Sequence, residues 1–218
     1  GMYIGGTDLR ALTHCFKEIK DNSVDESMAR DSNGNPHCTQ IIVTLAADGE
    51  TISVEDNGRG ISPKVHSSYV AEGITELELA VTRLHAGGKF NNKNYEGGSG
   101  GLHGVGAACV NAVSTLFEVE VWRDGGHWKQ SFSQGEPLTR TERVGDSLKR
   151  GTKVTFHGDP EIFTEGVRFD EETLVAILRE TAMLNGGLRC IFVSEATGRR
   201  EEFHYEGGVA DYVAYLST

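Results

Sequence analysis

The sequence predicts an α+β fold, a two-layer sandwich in which a mixed, mostly antiparallel sheet carries helices on one face. Pairs of strand-like runs joined by short Gly-containing turns indicate β-hairpins. The regular strand–helix alternation that is typical of a parallel, doubly wound sheet is absent from the sequence. With 218 residues, 38% of them hydrophobic and 24% charged, the chain can bury one sizeable core. We therefore expect a single domain over residues 1–218.

The first half of the chain begins with a helix. Thr7 or Asp8 can cap it, and apolar residues that include Leu12 and Phe16 recur at helical spacing as far as about Met28. Strands are expected at 39–46 and 51–55, because the turn residues Asp48-Gly49 separate two β-prone runs. A helix at 76–84 is followed by a glycine-rich stretch at 85–106 and a helix of small residues at 107–113.

The second half contains two further hairpins and two helices. Strands at 117–123 and 127–133 flank the turn 124–126, and the alternating run 152–156 is a further strand. Asp170 caps a helix that reaches Leu184, where Asn-Gly-Gly ends it. Strands at 188–194 and 201–205 form the last hairpin, and a short helix follows to the end of the sequence.

The charge balance limits the classes of partner. A formal net charge of −11 with a sequence pI near 5.2 argues against a domain that itself grips a nucleic acid backbone. An electropositive pocket for a small anion remains possible. The sequence has no apolar run of membrane-spanning length, so we expect no membrane association. Four widely spaced cysteines without metal-site spacing predict free thiols and a cytoplasmic location.

Three segments carry residues suited to chemistry, and the first lies in the first helix. Glu18, Asn22 and Asp25 fall on one helical face, opposite the apolar stripe. This pattern can be a solvated acidic face. Alternatively, Glu18 accepts the proton of an attacking water, while the amide oxygen of Asn22 helps to hold a phosphate-bound Mg²⁺.

The second segment, residues 54–61, leaves the second predicted strand. Its acid followed by Gly-x-Gly can be a simple turn. In a functional interpretation, the glycines let the backbone approach a flat ligand, and Asp56 accepts the exocyclic amino N–H of an adenine. Guanine offers no such donor at that position, so the carboxylate would select the base.

The third segment is the glycine-rich stretch 85–106. A flexible linker and a phosphate-covering lid are both compatible with its composition, and we favour the lid because the stretch runs directly into an Ala/Val-rich helix. Lys89 would add a positive charge near the phosphates. The pattern is not a Walker loop.

In this order, the segments resemble the N-terminal ATPase domain of bacterial type IIA topoisomerases, the family of the gyrase B and topoisomerase IV E subunits. The resemblance covers essentially the whole chain. It rests on Gly1-Met2-Tyr3-Ile4-Gly5, Glu18 to Glu26, Asp56-Asn57-Gly58-Arg59-Gly60-Ile61, Leu84 to Phe90, Gly100 to Gly106 and Gly151-Thr152.

The resemblance implies a Bergerat-type GHKL fold, the ligands ATP and Mg²⁺, and a set of site residues. It assigns the general base to Glu18 and the metal to Asn22. The remaining ATP-binding positions that it implies are Asp25, Asp56, Arg59, Gly60, Ile61, Lys89, Tyr95, Gly101, Leu102, His103, Gly104, Val105, Gly106 and Thr152.

The resemblance also implies a place in a larger assembly. The chain would be the ATP-hydrolysing module of a DNA topoisomerase, a fragment without the N-terminal arm and the transducer domain. ATP would drive homodimerisation of the full-length subunit, an A-type subunit would be its partner, and DNA would be reached through other domains. A nucleotide-binding regulatory or chaperone-like relative with little catalysis is the alternative. The sequence does not distinguish gyrase from topoisomerase IV.

Overall fold

The computed structural model of the protein describes residue 6, residues 8–83 and residues 103–218, with side chains from residue 105 onward in the last range. The α-helices in these ranges are α1 (Leu9–Met28), α2 (Glu76–Thr82), α3 (His103–Ala112), α4 (Glu171–Leu184) and α5 (Val209–Leu216), and Ser67–Tyr69 form a short 3₁₀ helix. The strands are β1 (Gln40–Leu45), β2 (Thr51–Asp56), β3 (Ser114–Arg123), β4 (Gly126–Ser133), β5 (Glu136–Pro137), β6 (Glu142–Asp146), β7 (Gly151–Gly158), β8 (Arg189–Ser194) and β9 (Arg200–His204).

All nine of these strands belong to one mixed sheet, in the order β5-β4-β3-β7-β2-β1-β8-β9, with β6 paired to β4. The pair β1–β8 is parallel, and the other pairs are antiparallel. Strand β7 lies between β2 and β3, which brings the start of β7 beside the end of β2. The predicted α+β fold is therefore confirmed.

Burial of helix faces against the sheet forms the core. The predicted apolar stripe of α1 is buried at Leu12, Cys15, Phe16 and Ile19, while Leu9 at its start is exposed. The side chain of Asp8 caps the helix by accepting the N–H of Ala11 at 3.0 Å. Helix α3 packs against both α1 and α2, while α4 packs against β8 and β9. Helix α1 thus lies beside β2 and α3 at once.

Apart from strand ends that shift by up to three residues, such as the start of β3 at Ser114 and not at 117, the structure differs from the sequence-based expectation in two places. Helix α3 begins at His103, within the glycine-rich stretch, and not at residue 107. Strands β5 and β6 were not expected, because their residues are almost all exposed and lack the apolar alternation that marks a half-buried strand. Their pairing with β4 at the sheet edge forms them. In the described ranges, no helix combines the length and the apolarity needed to cross a bilayer.

Candidate functional site

The end of β2 is joined to α1 by a buried hydrogen bond. The hydroxyl of Ser23 donates to Oδ2 of Asp56 at 2.7 Å. Ser23 follows Asn22 directly on α1, so this bond places the two predicted site segments side by side.

Asp56 is a buried carboxylate with its side chain held by three donors. Besides Ser23, the backbone N–H groups of Gly58 and Thr152 donate to Oδ1 at 2.9 and 3.3 Å. Only 7% of Asp56 is exposed. Burial raises the pKa of Asp56 to about 6 and the charge of Glu26 adds to this, although the three hydrogen bonds act in the opposite direction.

Because the pKa of Asp56 is raised, ionisation of its buried carboxyl lowers the free energy of unfolding as the pH rises, and Asp56→Asn removes this effect. Between pH 4 and 6 the unfolded chain loses the Asp56 proton while the folded chain retains it, so Asp56 stabilises the fold less as the pH rises. At about 1.4 kcal/mol per pKa unit, the free energy of unfolding of the wild type should fall by up to about 3 kcal/mol relative to the variant. Urea unfolding of both proteins at pH 4, 5, 6 and 7 measures this difference. If the free energy of unfolding of the wild type minus that of the variant stayed constant or rose with pH, the raised pKa of Asp56 would be wrong.

The loop after β2 is fixed to α1 by an ion pair. The guanidinium of Arg59 contacts both carboxylate oxygens of Glu26, with Nη2–Oε1 at 2.7 Å and Nε–Oε2 at 3.2 Å. The backbone N–H of Arg59 also donates to Oε2 at 3.1 Å. Burial works to raise the pKa of Glu26, but these bonds outweigh it and hold the pKa below its ordinary value. Glu26 therefore remains charged and anchors the loop.

Two glycines allow the β2 loop and β7 to approach closely. Gly60 has φ +78°, and a Cβ there would lie 3.0 Å from the carbonyl oxygen of Trp122. A Cβ on Gly151 would lie only 1.9 Å from the carbonyl oxygen of Asp56. The next residue on β7 is Thr152, whose hydroxyl accepts the N–H of Ile61 at 3.2 Å. The predicted residues on β7 and in the β2 loop are thus bonded to one another.

Glu18 lies against the N-terminal turn of α3. A Cβ on Gly106 would lie 2.1 Å from Oε2 of Glu18, so glycine leaves the space that the carboxylate occupies. The other carboxylate oxygen lies 3.2 Å from Nε2 of His14, one turn earlier on α1. The Glu18 side chain is 31% exposed, which leaves it accessible to water.

The structure brings most of the described candidate residues together around α1. Glu18, Asn22 and Asp25 lie along that helix. The residues that the structure places around it, on the β2 end and loop, α3 and β7, are Asp56, Arg59, Gly60, Ile61, Val105, Gly106 and Thr152. Lys89, Tyr95, Gly101 and Leu102 lie outside the described residues, as do the side chains of His103 and Gly104.

Sequence reasoning missed three residues that contact the site. His14 could have been found from its four-residue spacing to Glu18 on a helix. Ser23 and Glu26 lie in the run Glu18 to Glu26, but the sequence does not reveal their contacts, because their partners Asp56 and Arg59 are remote in sequence.

An open cavity of about 390 Å³ adjoins the β2 loop. Arg59, Arg123, Lys149 and Arg150 contribute cationic side chains to its lining. Arg123 also donates to the carbonyl of Gly60 at 3.0 Å, which ties the cavity wall to the loop. Acidic partners balance much of this charge, since Glu26 pairs with Arg59, Asp124 with Arg123 and Glu55 with Lys149.

Comparisons with known proteins show the family to which the chain belongs. Residues 7–162 match the family model described as histidine kinase-, DNA gyrase B- and HSP90-like ATPase. The chain is 45% identical to the B subunit of DNA gyrase from Treponema pallidum, over 100% of this chain and 33% of that protein. It is 46% identical to the B subunit of DNA topoisomerase 4 from Caulobacter vibrioides, over 98% of this chain and 30% of that protein. The chain thus spans about a third of the length of these relatives.

A solved structure shows the same fold. The 43K ATPase domain of Thermus thermophilus gyrase B, in complex with an aminocoumarin, is similar with a TM-score of 0.83 and 40% identity. The match covers 99% of this chain and 52% of that chain. The resemblance seen in the sequence motifs is thereby confirmed, and the chain belongs to the family of histidine kinase-, DNA gyrase B- and HSP90-like ATPases.

Proposed function

We propose that this chain binds and hydrolyses ATP as the ATPase module of a type IIA DNA topoisomerase. The observation that carries the proposal is the buried Asp56 carboxylate, held by Ser23, Gly58 and Thr152 beside the helix that bears Glu18 and Asn22. The family match and the similarity to gyrase B proteins support it.

Asp56 is suited to select adenine. An ionised carboxylate has about four lone-pair sites, and Ser23, Gly58 and Thr152 occupy three of them. The remaining site can accept the exocyclic amino N–H of adenine. A guanine would present a carbonyl oxygen there and leave two acceptors facing each other, which is unfavourable in a buried pocket.

Glu18 is suited to act as the general base. Its carboxylate can accept a proton from a water that attacks the terminal phosphoryl group. The contact between His14 and Oε1 fixes the direction of the carboxylate, and Gly106 leaves room for Oε2. His14 is thus a positioning residue.

Asn22 fits a magnesium site. Mg²⁺ in nucleotide sites is usually held by one or two protein oxygens together with phosphates and water, and the half-buried Asn22 lies on α1 one turn from Glu18. When bound, the ion neutralises charge that develops on the phosphates. The amide oxygen of Asn22 would hold it without adding a further negative charge.

Asp56→Asn is expected to weaken ATP binding roughly tenfold or more, because the amide can present donors to the adenine amino group at a cost of about 1–3 kcal/mol. Calorimetry with a non-hydrolysable ATP analogue measures the change. Glu55→Gln is the matched control, since Glu55 is the preceding residue on β2 and is paired with Lys149. Equal affinity of Asp56→Asn and wild type would remove Asp56 from the adenine pocket.

The proposal extends to the full-length subunit. There, ATP binding would drive homodimerisation, an A-type subunit would be the partner, and other domains would contact DNA in the cytoplasm. A regulatory or chaperone-like nucleotide-binding module is the alternative, and it would bind ATP with little turnover. The Glu18 carboxylate, which His14 contacts at 3.2 Å and which remains accessible to water, favours the hydrolytic module.

A further inference from the structure

Three side chains that can bind a metal ion converge at the end of β2 opposite to Asp56. Asp48 and Glu50 lie in the turn between β1 and β2, and His157 lies near the end of β7, where it pairs with Thr51. One carboxylate oxygen of each acid and one imidazole nitrogen all lie within 4.8 Å of one another. Residues 51–56 of β2, at about 3.3 Å per residue, separate this cluster from the proposed nucleotide site.

A hydrogen bond on the other side of the His157 ring determines which nitrogen is free to bind a metal. Nδ1 lies 2.8 Å from the carbonyl oxygen of Gly158, and because a carbonyl can only accept, Nδ1 carries a proton. In the neutral ring, Nε2 therefore presents its lone pair to Oε2 of Glu50, 3.0 Å away. Two such acceptors repel each other unless a proton or a metal ion lies between them. Metal-binding histidines are oriented in this way, with the second ring nitrogen donating to a backbone carbonyl.

The Asp48 carboxylate is fixed in the turn and can still accept one more partner. Its Oδ1 accepts the backbone N–H groups of Glu50 and Thr51, both at 2.8 Å, and its Oδ2 accepts the hydroxyl of Thr51 at 2.7 Å. A carboxylate has about four lone-pair sites, so one remains on Oδ2. Burial works to raise the pKa of Asp48, but these hydrogen bonds outweigh it and hold the pKa below its ordinary value. Asp48 is therefore charged at neutral pH.

The chemistry of the three side chains suits a divalent transition-metal ion. Mg²⁺ prefers oxygen ligands alone, whereas an imidazole nitrogen suits Zn²⁺. Three protein ligands with water in the fourth position are a common tetrahedral arrangement around Zn²⁺, in which the ligand atoms lie roughly 3.3 Å apart. Small side-chain rotations in the turn would bring the atoms of the cluster to this separation. The guanidinium of Arg168 packs against Gly49 in the same turn, and its positive charge limits the affinity for a cation.

We propose that Asp48, Glu50 and His157 form a binding site for Zn²⁺, which joins the β1–β2 turn to the end of β7. Nε2 of His157 and one oxygen of each carboxylate are the ligands. A proton that lies between His157 and Glu50 in the metal-free protein leaves to water when the ion binds. Because the three ligands come together only in the folded chain, bound Zn²⁺ stabilises the fold.

The test is calorimetric titration of the 218-residue chain with zinc chloride in the presence of excess Mg²⁺. We expect one ion per chain and a rise in the unfolding temperature that a chelator reverses. His157→Gln should weaken the affinity by at least roughly tenfold and remove the thermal shift. Glu50→Ala, a change in the turn, is the second variant and should weaken binding as well.

His127→Gln is the matched control. Nε2 of His127 lies 2.8 Å from Oε2 of Glu120, so this pair resembles that of His157 and Glu50, but in the part of the chain that the structure describes no third metal-binding side chain joins it. The change should leave Zn²⁺ binding as in the wild type. Unfolding temperatures measured with chelator present show whether each variant is folded before the metal is added.

Nitrogen chemical shifts of the histidine rings give an independent readout of the ligand atoms. With Zn²⁺ bound, we expect the Nε2 resonance of His157 to move while Nδ1 remains protonated. The proposal would be overturned by absence of Zn²⁺ binding, equal affinity of wild type and His157→Gln, displacement by Mg²⁺, or Zn²⁺ held by the free cysteines instead. ATP takes no part in these measurements, so they stand or fall separately from the proposed ATPase activity.

Discussion

Replacing Gly151 with Ala is expected to disrupt the site and to destabilise the fold. Gly151 has φ +143°, and its missing side chain leaves room for the carbonyl oxygen of Asp56, which an alanine Cβ would approach to 1.9 Å. Relief requires β7 to move away from β2, because the contacted atom belongs to the backbone. Backbone strain of this kind costs about 1–3 kcal/mol, and the clash adds to it, so we expect a loss of about 3 kcal/mol or more.

The same movement should separate Thr152 from Asp56 and Ile61 and so weaken nucleotide binding. Chemical denaturation gives the stability, and calorimetry with an ATP analogue gives the affinity. Gly34→Ala is the matched control, because Gly34 also has a positive φ but has open space where a Cβ would be. If Gly151→Ala cost no more stability than Gly34→Ala, the close approach of β7 to Asp56 would be wrong.

Glu18→Gln should abolish turnover in the full-length subunit while nucleotide binding is retained. The amide keeps the shape of the side chain but cannot accept the proton of the attacking water. Loss of a general base lowers rates by about 10² to 10⁴-fold. Steady-state ATPase assays and calorimetry separate the two effects.

Asp21→Asn is a suitable control for this variant. Asp21 lies on the same helix and pairs with Lys20 at 2.8 Å, so its change tests the general effect of removing an acid from α1. Turnover that survives Glu18→Gln would refute the base assignment. Turnover that is low in the wild type as well, with binding intact, would favour the regulatory alternative.

Much of the fold could be predicted because each element carries its own local signal. The stripe of Leu12 and Phe16 together with the Asp8 cap predicted α1, and the turn at Asp48-Gly49 predicted the β1–β2 hairpin. Strands β5 and β6 carry no such signal, since they form by edge pairing with few buried side chains.

The candidate site likewise has residues that could be predicted from the sequence and contacts that could not. Glu18, Asn22 and Asp56 could be selected because their side chains suit one chemistry and their motifs are specific. The contacts that organise them could not be found, because they join residues remote in sequence: Ser23 with Asp56, Glu26 with Arg59, and Gly151 with the Asp56 backbone. Such contacts depend on how the helices and strands are arranged in the fold.

A crystal structure of this chain with a non-hydrolysable ATP analogue and Mg²⁺ tests the central claim most directly. We expect the adenine amino group within hydrogen-bond distance of the Asp56 carboxylate, the ion on the side-chain oxygen of Asn22, and the terminal phosphate facing Glu18. A nucleotide bound elsewhere, with Asp56 contacting only Ser23, Gly58 and Thr152, would contradict the account.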